Sequence, residues 1–125
     1  MASELVMLKL GGSLVTDKSR PETLRGADLS RLAKEIHEAR TQGKFKLIVG
    51  HGGGRFPHRP AHEYGTAQGF GRKDSARGIA LVGDAAARLN RLVVRALIDA
   101  GEDAVSFQPS ALMVTNKGEI EDGYT

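Results

Sequence analysis

The sequence LVMLKLGGS, residues 5–13, is a nearly continuous apolar run that ends in two glycines and a serine. Such a run, without polar alternation, is typical of a strand buried in a parallel sheet. A second unit of the same kind has a β-branched run at residues 45–49, followed by four glycines with one histidine among them at residues 50–54. Apolar positions recur at helical spacing between the two units, from a cap at Asp28 to a stop at Gly43. The order strand, helix, strand predicts a right-handed βαβ unit in an α/β fold.

The remainder of the chain alternates irregular and periodic segments. Polar composition and proline predict loops at residues 15–27, which we expect to be mobile, and at residues 57–73. A helix is predicted from about residue 75 to residue 100, with Gly101 after it as a C-cap. We further expect a third strand at residues 103–107 and a small hairpin at residues 112–121, turning at Asn116-Lys117-Gly118. Three parallel strands are few for a closed sheet, so we expect more chain to follow Thr125.

Composition limits the class of protein. The chain has 125 residues, enough for one domain, and a net charge of +3 with basic residues spread along its length. That distribution favours an anionic small molecule over nucleic acid as the partner. Because cysteine is absent, disulfides, thiolate metal sites and thiol nucleophiles are excluded. No apolar stretch reaches the roughly 20 residues of a membrane span, and Met1-Ala2-Ser3-Glu4 lacks the positive start of a signal peptide. We therefore expect a soluble, cytoplasmic protein.

Both glycine-rich turns follow predicted strands, and this placement suggests a site. Ligands of open α/β sheets collect beyond the carboxyl ends of the strands, so the two turns should face one crevice. Glycine allows successive backbone N–H groups to turn toward an anion. Lys9 and Lys18 can add positive charge beside the first turn. Phosphoryl transfer needs this combination, since it depends on in-line positioning and charge neutralisation more than on a protein nucleophile.

Each of these features also has a simpler structural interpretation. Gly11-Gly12 alone could be a tight turn, Lys9 could extend its charged end from the strand into water, and Lys18 could be a solvated loop residue. His51 and His58 flank the second turn, where each could donate to phosphate or serve only in packing. The sequence contains neither a P-loop nor a dinucleotide-binding glycine motif. Its aspartates do not pair with histidines at metal-ligand spacing, so no protein-bound metal is predicted, and Mg²⁺ would arrive with a nucleotide.

Several segments together resemble a known family. Lys9-Leu10-Gly11-Gly12-Ser13 with Thr16-Asp17-Lys18, and His51-Gly52-Gly53-Gly54 with Phe56 and His58, resemble the amino acid kinase superfamily and, within it, the isopentenyl phosphate kinases. Residues 84–90 and the turn at residues 108–110 are also similar. The resemblance implies a three-layer α/β/α sandwich with a mainly parallel sheet. It covers only the first half of the family, so residues 1–125 would be the acceptor-substrate and phosphate-binding part, and the C-terminal nucleotide-binding part would be absent.

The resemblance also implies an activity, the ATP-dependent phosphorylation of isopentenyl phosphate to isopentenyl diphosphate. Lys9 would contact the ATP phosphates, and Lys18 would stabilise the transferring phosphoryl group. Acceptor phosphate would be held by His58. The glycines and Ser13 would have four further roles: Gly11, Gly12 and Ser13 on the phosphate side, Gly53 at the substrate phosphate, Gly54 at the nucleotide, and Gly78 near the substrate.

The second turn departs from the family pattern at two positions. Where the family usually has a small residue and a glycine, this chain has Arg55 and Pro57. Proline removes a backbone N–H and fixes φ, whereas the arginine would either assist or block binding. Two alternatives therefore stand beside the isoprenoid kinase: a non-catalytic anion-binding fragment, and a kinase of the same superfamily with another phosphate, phosphonate or carboxylate acceptor. Family members commonly dimerise, so a homodimer is a further expectation.

Overall fold

The computed structural model describes residues 3–123. Met1-Ala2 and Tyr124-Thr125, on which the expectations about a signal peptide and a continuing chain partly rest, lie outside the described residues. The elements in chain order are strand β1 (Leu5–Leu10), helices α1 (Gly12–Val15) and α2 (Gly26–Gly43), strand β2 (Lys46–His51), helices α3 (Arg55–Tyr64) and α4 (Ser75–Asp99), and strands β3 (Met113–Asn116) and β4 (Glu119–Gly123). Short 3-10 turns lie at Thr66–Gln68 and Pro109–Ala111.

Strands β1 and β2 form a parallel pair, in register from Leu5 opposite Lys46 to Leu10 opposite His51. The predicted strand–helix–strand order is therefore confirmed, with α2 as the crossover. Because the strands are parallel, both glycine turns leave the same edge of the sheet. The N–H of Gly52 donates to the carbonyl of Leu10 at 2.9 Å, which extends the pairing into the turns.

One face of this sheet is covered by helices. Leu89 and Val93 of α4 are buried in a core with Leu10 at the end of β1. The rest of that core comes from α1, α2, α3 and α4: Val15, Leu29, Ala33, Ile36, Phe56, Ala85 and Leu97. On the opposite face, the exposed fractions of Leu5, Met7 and Ile48 are 57%, 77% and 49%. Among the described residues, helices thus cover only one face of the parallel pair.

The bounds of α2 correct one detail of the sequence interpretation. The helix begins at Gly26, so the prediction of Asp28 as its cap is wrong. Asp28 lies in the first turn, where a carboxylate interacts favourably with the helix dipole, and it pairs with Arg25 at 2.7 Å. The helix ends at Gly43 as expected, and Lys44 after it adopts a left-handed conformation with φ of 52°.

Helix α3 contradicts the loop predicted at residues 57–73. Arg55–Tyr64 is helical although it contains Pro57 and Pro60. Pro57 is the third residue of the helix, where the missing N–H would have no acceptor within the helix. Pro60 lies in the interior, where it removes one hydrogen bond, but Phe56 and Pro57 are buried and anchor the helix. Tertiary packing thus outweighs the local effect of proline.

Two further expectations in the loops are corrected. The loop predicted at residues 15–27 is shorter at both ends, because Val15 ends α1 and Gly26 begins α2, and it is closed at its base by an isolated antiparallel bridge between Thr16 and Leu24. Its mobility stays a prediction. Residues 103–107 form no strand, and the exposed fractions of Val105 and Phe107 are 85% and 73%. A strand needs a neighbouring edge to satisfy its backbone groups, and no described strand lies beside this segment.

The predictions for the last helix and the hairpin are confirmed. Helix α4 spans Ser75–Asp99, and Gly101 follows it with φ of 108°. Strands β3 and β4 are antiparallel and join through Lys117 and Gly118, whose φ values of 49° and 86° suit a two-residue hairpin turn. No helix formed by residues 3–123 is long and apolar enough to cross a bilayer.

Leu89 should be a principal stabilising residue, because it is fully buried at the centre of α4. We expect Leu89→Ala to lower the free energy of unfolding by about 2–5 kcal/mol through lost burial and a residual cavity. Leu92→Ala, on the same helix but 40% exposed, is the matched control and should cost less than about 1 kcal/mol. Urea denaturation measures both variants, and equal losses would contradict this description of the core.

Candidate functional site

The two glycine turns face one cleft of about 310 Å³. Its size is at the lower end of small-ligand sites, and it lies beyond the carboxyl ends of β1 and β2, as the sequence predicts. Gly12 and Gly52–Gly54 supply its backbone walls. The side chains that line it are Ser13, Thr16, Lys18, Arg55 and His58.

The backbones of the two turns are in direct contact. A Cβ atom added to Gly12 would lie 2.6 Å from the nitrogen and 2.7 Å from the Cα of Gly54. One added to Gly52 would lie 2.9 Å from the nitrogen of Gly12. Neither position has room for a side chain, since the obstacle is main chain and cannot rotate away. Glycine at these sites is what allows the two turns to form a single wall.

Thr16 joins the turns through its hydroxyl group. This buried side chain donates to the carbonyl of Gly12 at 2.8 Å and accepts from the N–H of Arg55 at 3.1 Å. Gly54 lies against it with φ of 53°, and a Cβ added there would lie 2.7 Å from the Thr16 methyl group. The sequence interpretation gave Thr16 no role, although a hydroxyl residue four positions after a glycine turn is a signal for such a contact.

The N–H groups of four residues along the wall of the cleft have no acceptor within residues 3–123: Gly12, Ser13, Gly53 and Gly54. Successive unpaired amides in a glycine-rich turn attract anions. The N-terminus of α3 adds little to them. There the N–H groups of Arg55 and Phe56 already donate to Thr16 and Gly53, and Pro57 has none. The free donors therefore belong to the turns themselves.

The ionisable side chains that line the cleft are all basic ones: Lys18, Arg55 and His58. Lys18 approaches from the segment after α1, whereas Arg55 and His58 lie on consecutive turns of α3. The guanidinium of Arg55 forms no hydrogen bond or ion pair with any other part of the described chain. Asp17, next to Lys18, is held by Ser19 and Arg20. Hydrogen bonds from Ser19 lower the pKa of the Asp17 carboxyl below its usual range. The cleft thus has the charge of an anion site.

Three residues predicted for the site are not brought to the cleft wall. Lys9 is exposed on the uncovered face of β1, since Leu10 beside it points into the core. Gly11 precedes the wall by one residue. Gly78 is buried in α4, where an added Cβ would lie 2.9 Å from the ring of Tyr64 and 3.2 Å from Thr66, so packing explains this glycine. Direct ligand contacts by these residues stay predictions.

His51, the last residue of β2, connects the second glycine turn to α4. Its Nδ1 lies 3.1 Å from the carbonyl oxygen of Gly52, and its Nε2 lies 2.9 Å from the amide nitrogen of Asn90 on α4. A carbonyl only accepts, so Nδ1 carries the proton and Nε2 accepts from Asn90. Ser106 donates in turn to the Asn90 side-chain oxygen. With both ring nitrogens engaged, the structure favours the packing role that the sequence left open for His51.

Segment 17–23, which carries Lys18, is tied to α4 by an ion pair. Glu22 accepts two hydrogen bonds from Arg88, both 3.1 Å long. These bonds lower the pKa of the Glu22 carboxyl, and the same contacts raise the pKa of Arg88. The ion pair is therefore present at neutral pH and is lost as the pH falls through the lowered Glu22 pKa. Sequence patterns gave no sign of it, because the partners are 66 positions apart.

Residues 3–123 contain no group of three or more histidine, aspartate or glutamate side chains arranged to hold a metal ion. The donors that face the cleft are instead amides and basic side chains. Such a donor set suits phosphate oxygens.

The chain belongs to the amino acid kinase family, whose model matches residues 4–124. It is 36% identical over 118 residues to isopentenyl phosphate kinase of Methanocaldococcus jannaschii, covering 88% of this chain and 45% of that protein. A solved isopentenyl phosphate kinase structure superposes with a TM-score of 0.85 at 34% identity, covering 97% of this chain and 49% of that one. A substrate complex of isopentenyl phosphate kinase superposes at 0.74 with 30% identity, covering 96% and 47%.

These similarities confirm the α/β fold class and the family resemblance. The chain spans just under half the length of the curated relatives and solved structures that it matches. The matched part contains both glycine turns, the cleft between them and Lys18.

Gly54 should be essential to the shape of the cleft. Gly54→Ala and the control Gly69→Ala both place a side chain at positive φ, which costs about 1–3 kcal/mol. Only Gly54→Ala adds a collision with Thr16, because nothing lies within 4 Å of a Cβ at Gly69. We expect Gly54→Ala to unfold at lower urea concentration than Gly69→Ala and to lose pyrophosphate binding, measured by calorimetry. Equal stability and retained binding in the two variants would contradict the described contact.

Proposed function

We propose that this chain is the acceptor- and phosphate-binding part of an ATP-dependent kinase that converts isopentenyl phosphate to isopentenyl diphosphate. One observation carries the proposal: two glycine turns in backbone contact line one cleft together with basic side chains, and four N–H groups along this wall have no acceptor within residues 3–123. The relatives named above, which are isopentenyl phosphate kinases, supply the reaction and the acceptor. Because this chain spans less than half of their length, its own activity is part of the proposal.

The acceptor phosphate would be held on the α3 side of the cleft. His58 and Arg55 project from α3 toward the cleft, and the N–H of Gly53 has no other acceptor within residues 3–123. A phosphate monoester carries up to two negative charges at neutral pH, and cationic side chains beside free amides offset them. These contacts would fix the acceptor oxygen that attacks the transferred phosphorus atom.

The transferred group would lie on the α1 side. Gly12, Ser13 and Lys18 line the cleft there, and the N–H groups of Gly12 and Ser13 have no acceptor within residues 3–123. In phosphoryl transfer, negative charge spreads over the equatorial and leaving oxygens in the transition state, and fixed donors at those oxygens lower the barrier. Lys18 would therefore act on the transferring phosphate, with Gly54 nearby at the nucleotide side. No residue of the chain has to act as a base, because an ionised phosphate oxygen is already nucleophilic.

The cleft suits the phosphates of ATP, since its wall has glycine at the positions where a Cβ would collide and its charged side chains are basic. Bound ATP supplies the phosphoryl group: a bond forms from phosphorus to an acceptor oxygen, the bond to the bridging oxygen breaks, and ADP leaves. Mg²⁺ would enter with ATP. We propose no adenine site among the described residues. The contacts proposed for Lys9 and Gly11 with ATP and for Gly78 with the acceptor rest on the family resemblance alone.

A second candidate function is supported by the exposed sheet face. Leu5, Met7 and Ile48 leave an apolar face of the parallel pair open among the described residues, whereas parallel sheets are ordinarily covered on both sides. The second candidate is therefore a non-catalytic fragment of the fold, which binds an anion in the cleft but does not transfer a phosphoryl group. The two candidates share the anion site and differ only in turnover.

The kinase proposal is tested by incubating the purified chain with isopentenyl phosphate, ATP and Mg²⁺ and measuring isopentenyl diphosphate. We expect turnover that falls about 100-fold or more in Lys18→Ala, because a donor to the transition state is lost. Lys46→Ala should be unaffected, since Lys46 lies at the opposite end of β2 from the turn.

Absence of turnover together with Arg55-dependent binding of isopentenyl phosphate would contradict the kinase proposal and support the anion-binding part alone. Absence of both would overturn both candidates. A kinase of the same family with another acceptor would show ATP turnover with a phosphonate or carboxylate and none with isopentenyl phosphate.

Substitution of Arg55 tests whether this side chain assists or obstructs binding of the acceptor phosphate. Its guanidinium faces the cleft and has no partner among residues 3–123, so we expect it to bind the acceptor phosphate. Arg55→Ala should raise the Kd for isopentenyl phosphate about tenfold, through loss of a charge-assisted hydrogen bond. Arg59→Ala, exposed on the same helix and outside the cleft lining, is the control and should leave the Kd unchanged. Tighter binding in Arg55→Ala would show that the arginine obstructs the site.

A further inference from the structure

Lys18 lies on a loop that begins directly after Thr16, and both residues line the cleft. The loop, residues 17–23, is closed at its base by the bridge between Thr16 and Leu24. Asp17 N–H donates to the carbonyl of Thr23 at 2.8 Å, and Arg25 N–H donates to that of Val15, also at 2.8 Å. This base fixes where the loop starts and ends. It does not by itself fix the outer limb of the loop, residues 19–22.

The first turn of the loop has its own hydrogen bonds. The carboxylate of Asp17 accepts from the backbone N–H of Ser19 at 2.8 Å and from its hydroxyl at 2.6 Å. Arg20 adds a third hydrogen bond at 3.2 Å. Lys18 is therefore enclosed in a local turn whose backbone is restrained on both sides. The orientation of this turn relative to the cleft still depends on the rest of the loop.

The outer limb is fixed by a contact with α4. Glu22 has φ of 49°, an uncommon backbone conformation for a residue other than glycine. Such conformations persist where surrounding contacts hold them. Here Arg88 donates to both carboxylate oxygens of Glu22 at 3.1 Å, and its Nε donates to Asp84 at 2.9 Å. Asp84, one turn earlier on α4, thereby orients the guanidinium toward the loop.

We propose that Arg88 is a positioning residue for Lys18: by gripping Glu22, it holds loop 17–23 against α4 so that the lysine stays at the cleft. The proposal rests on the function proposed above, in which Lys18 meets the transferring phosphate. The guanidinium of Arg88 contacts Asp84 through its Nε and Glu22 through its two terminal nitrogens. Neither Arg88 nor Glu22 lines the cleft, so both act through the loop rather than on a ligand.

The alternative is an ordinary surface ion pair. The side chains of Arg88 and Glu22 are 45% and 42% exposed, and ion pairs at such positions contribute little to global stability. A surface pair without a positioning role would therefore change neither loop protection nor ligand binding when it is removed. The positioning role predicts a local change in the loop while the unfolding midpoint of the whole chain stays nearly constant.

The test compares Arg88→Gln with Arg95→Gln. Arg95 is a matched control, because it lies two turns further along α4 and forms an exposed ion pair with Asp99 at 2.7 Å. Hydrogen exchange measured by mass spectrometry reports on the amides of Asp17 and Arg25, which close the base of the loop. We expect these amides to exchange at least about threefold faster in Arg88→Gln and at the wild-type rate in Arg95→Gln. Glu22→Gln should reproduce the effect, and the double variant should add nothing to it.

A binding cycle then separates positioning from direct contact. With inorganic pyrophosphate as the probe, Arg88→Gln should weaken the Kd about threefold to tenfold in the wild-type background and leave it unchanged in the Lys18→Ala background. Weakening of equal size in both backgrounds would show that Arg88 acts on the anion independently of Lys18, and it would overturn the proposal. Unchanged exchange in Arg88→Gln would also overturn it.

Results that contradict the kinase function differ from results that contradict the positioning role of Arg88. A wild-type chain that produces no isopentenyl diphosphate contradicts the kinase proposal, whereas the exchange and pyrophosphate measurements need no turnover and still decide the role of Arg88. A wild-type chain that does not bind pyrophosphate overturns the positioning of Lys18 at an anion site.

Discussion

The contact between the backbones of Gly12, Gly52 and Gly54 is the constraint on which the site depends. A side chain at Gly12 would collide with the main chain of Gly54, and one at Gly52 with that of Gly12. This contact is possible because β1 and β2 are parallel neighbours in register, so both turns leave the same edge of the sheet. Two segments 40 residues apart in the chain therefore form one wall of a single cleft, and four N–H groups of this wall have no acceptor within residues 3–123.

The residues around this wall stabilise it from three directions. Thr16 bridges the turns through its hydroxyl, His51 at the end of β2 contacts Gly52 and is itself bonded to Asn90 of α4, and Arg88 pairs with Glu22 of the loop that carries Lys18. Helix α4 thus contributes to the core and to the site at the same time. We therefore expect few substitutions in α4 to be neutral, because Leu89 and Val93 pack in the core while the neighbouring Arg88 and Asn90 contact residues around the cleft.

The sequence predicted the elements that depend on local patterns. Both parallel strands, helix α4 and the hairpin at Lys117-Gly118 follow from apolar runs, helical periodicity and turn chemistry. Helix α3 could not be predicted in this way, since its prolines oppose helix formation locally and the burial of Phe56 and Pro57 is a tertiary effect. Segment 103–107 has the composition of a strand but no neighbouring edge. Of the residues predicted for the site, Gly12, Ser13, Gly53, Gly54, Lys18 and His58 line the cleft, whereas Lys9, Gly11 and Gly78 do not. The contacts of Thr16 with Arg55 and of Asn90 with His51 join distant segments and could not be read from the sequence.

The central claim is that both glycine turns bind one phosphate-bearing ligand together. It is tested most directly by titrating pyrophosphate, which carries two linked phosphate groups, into the ¹⁵N-labelled chain and following backbone amide resonances. The account predicts that the amides of Gly12, Ser13, Gly53 and Gly54 shift along one saturation curve with a single Kd. Shifts confined to one turn, or separate curves for the two turns, would contradict it.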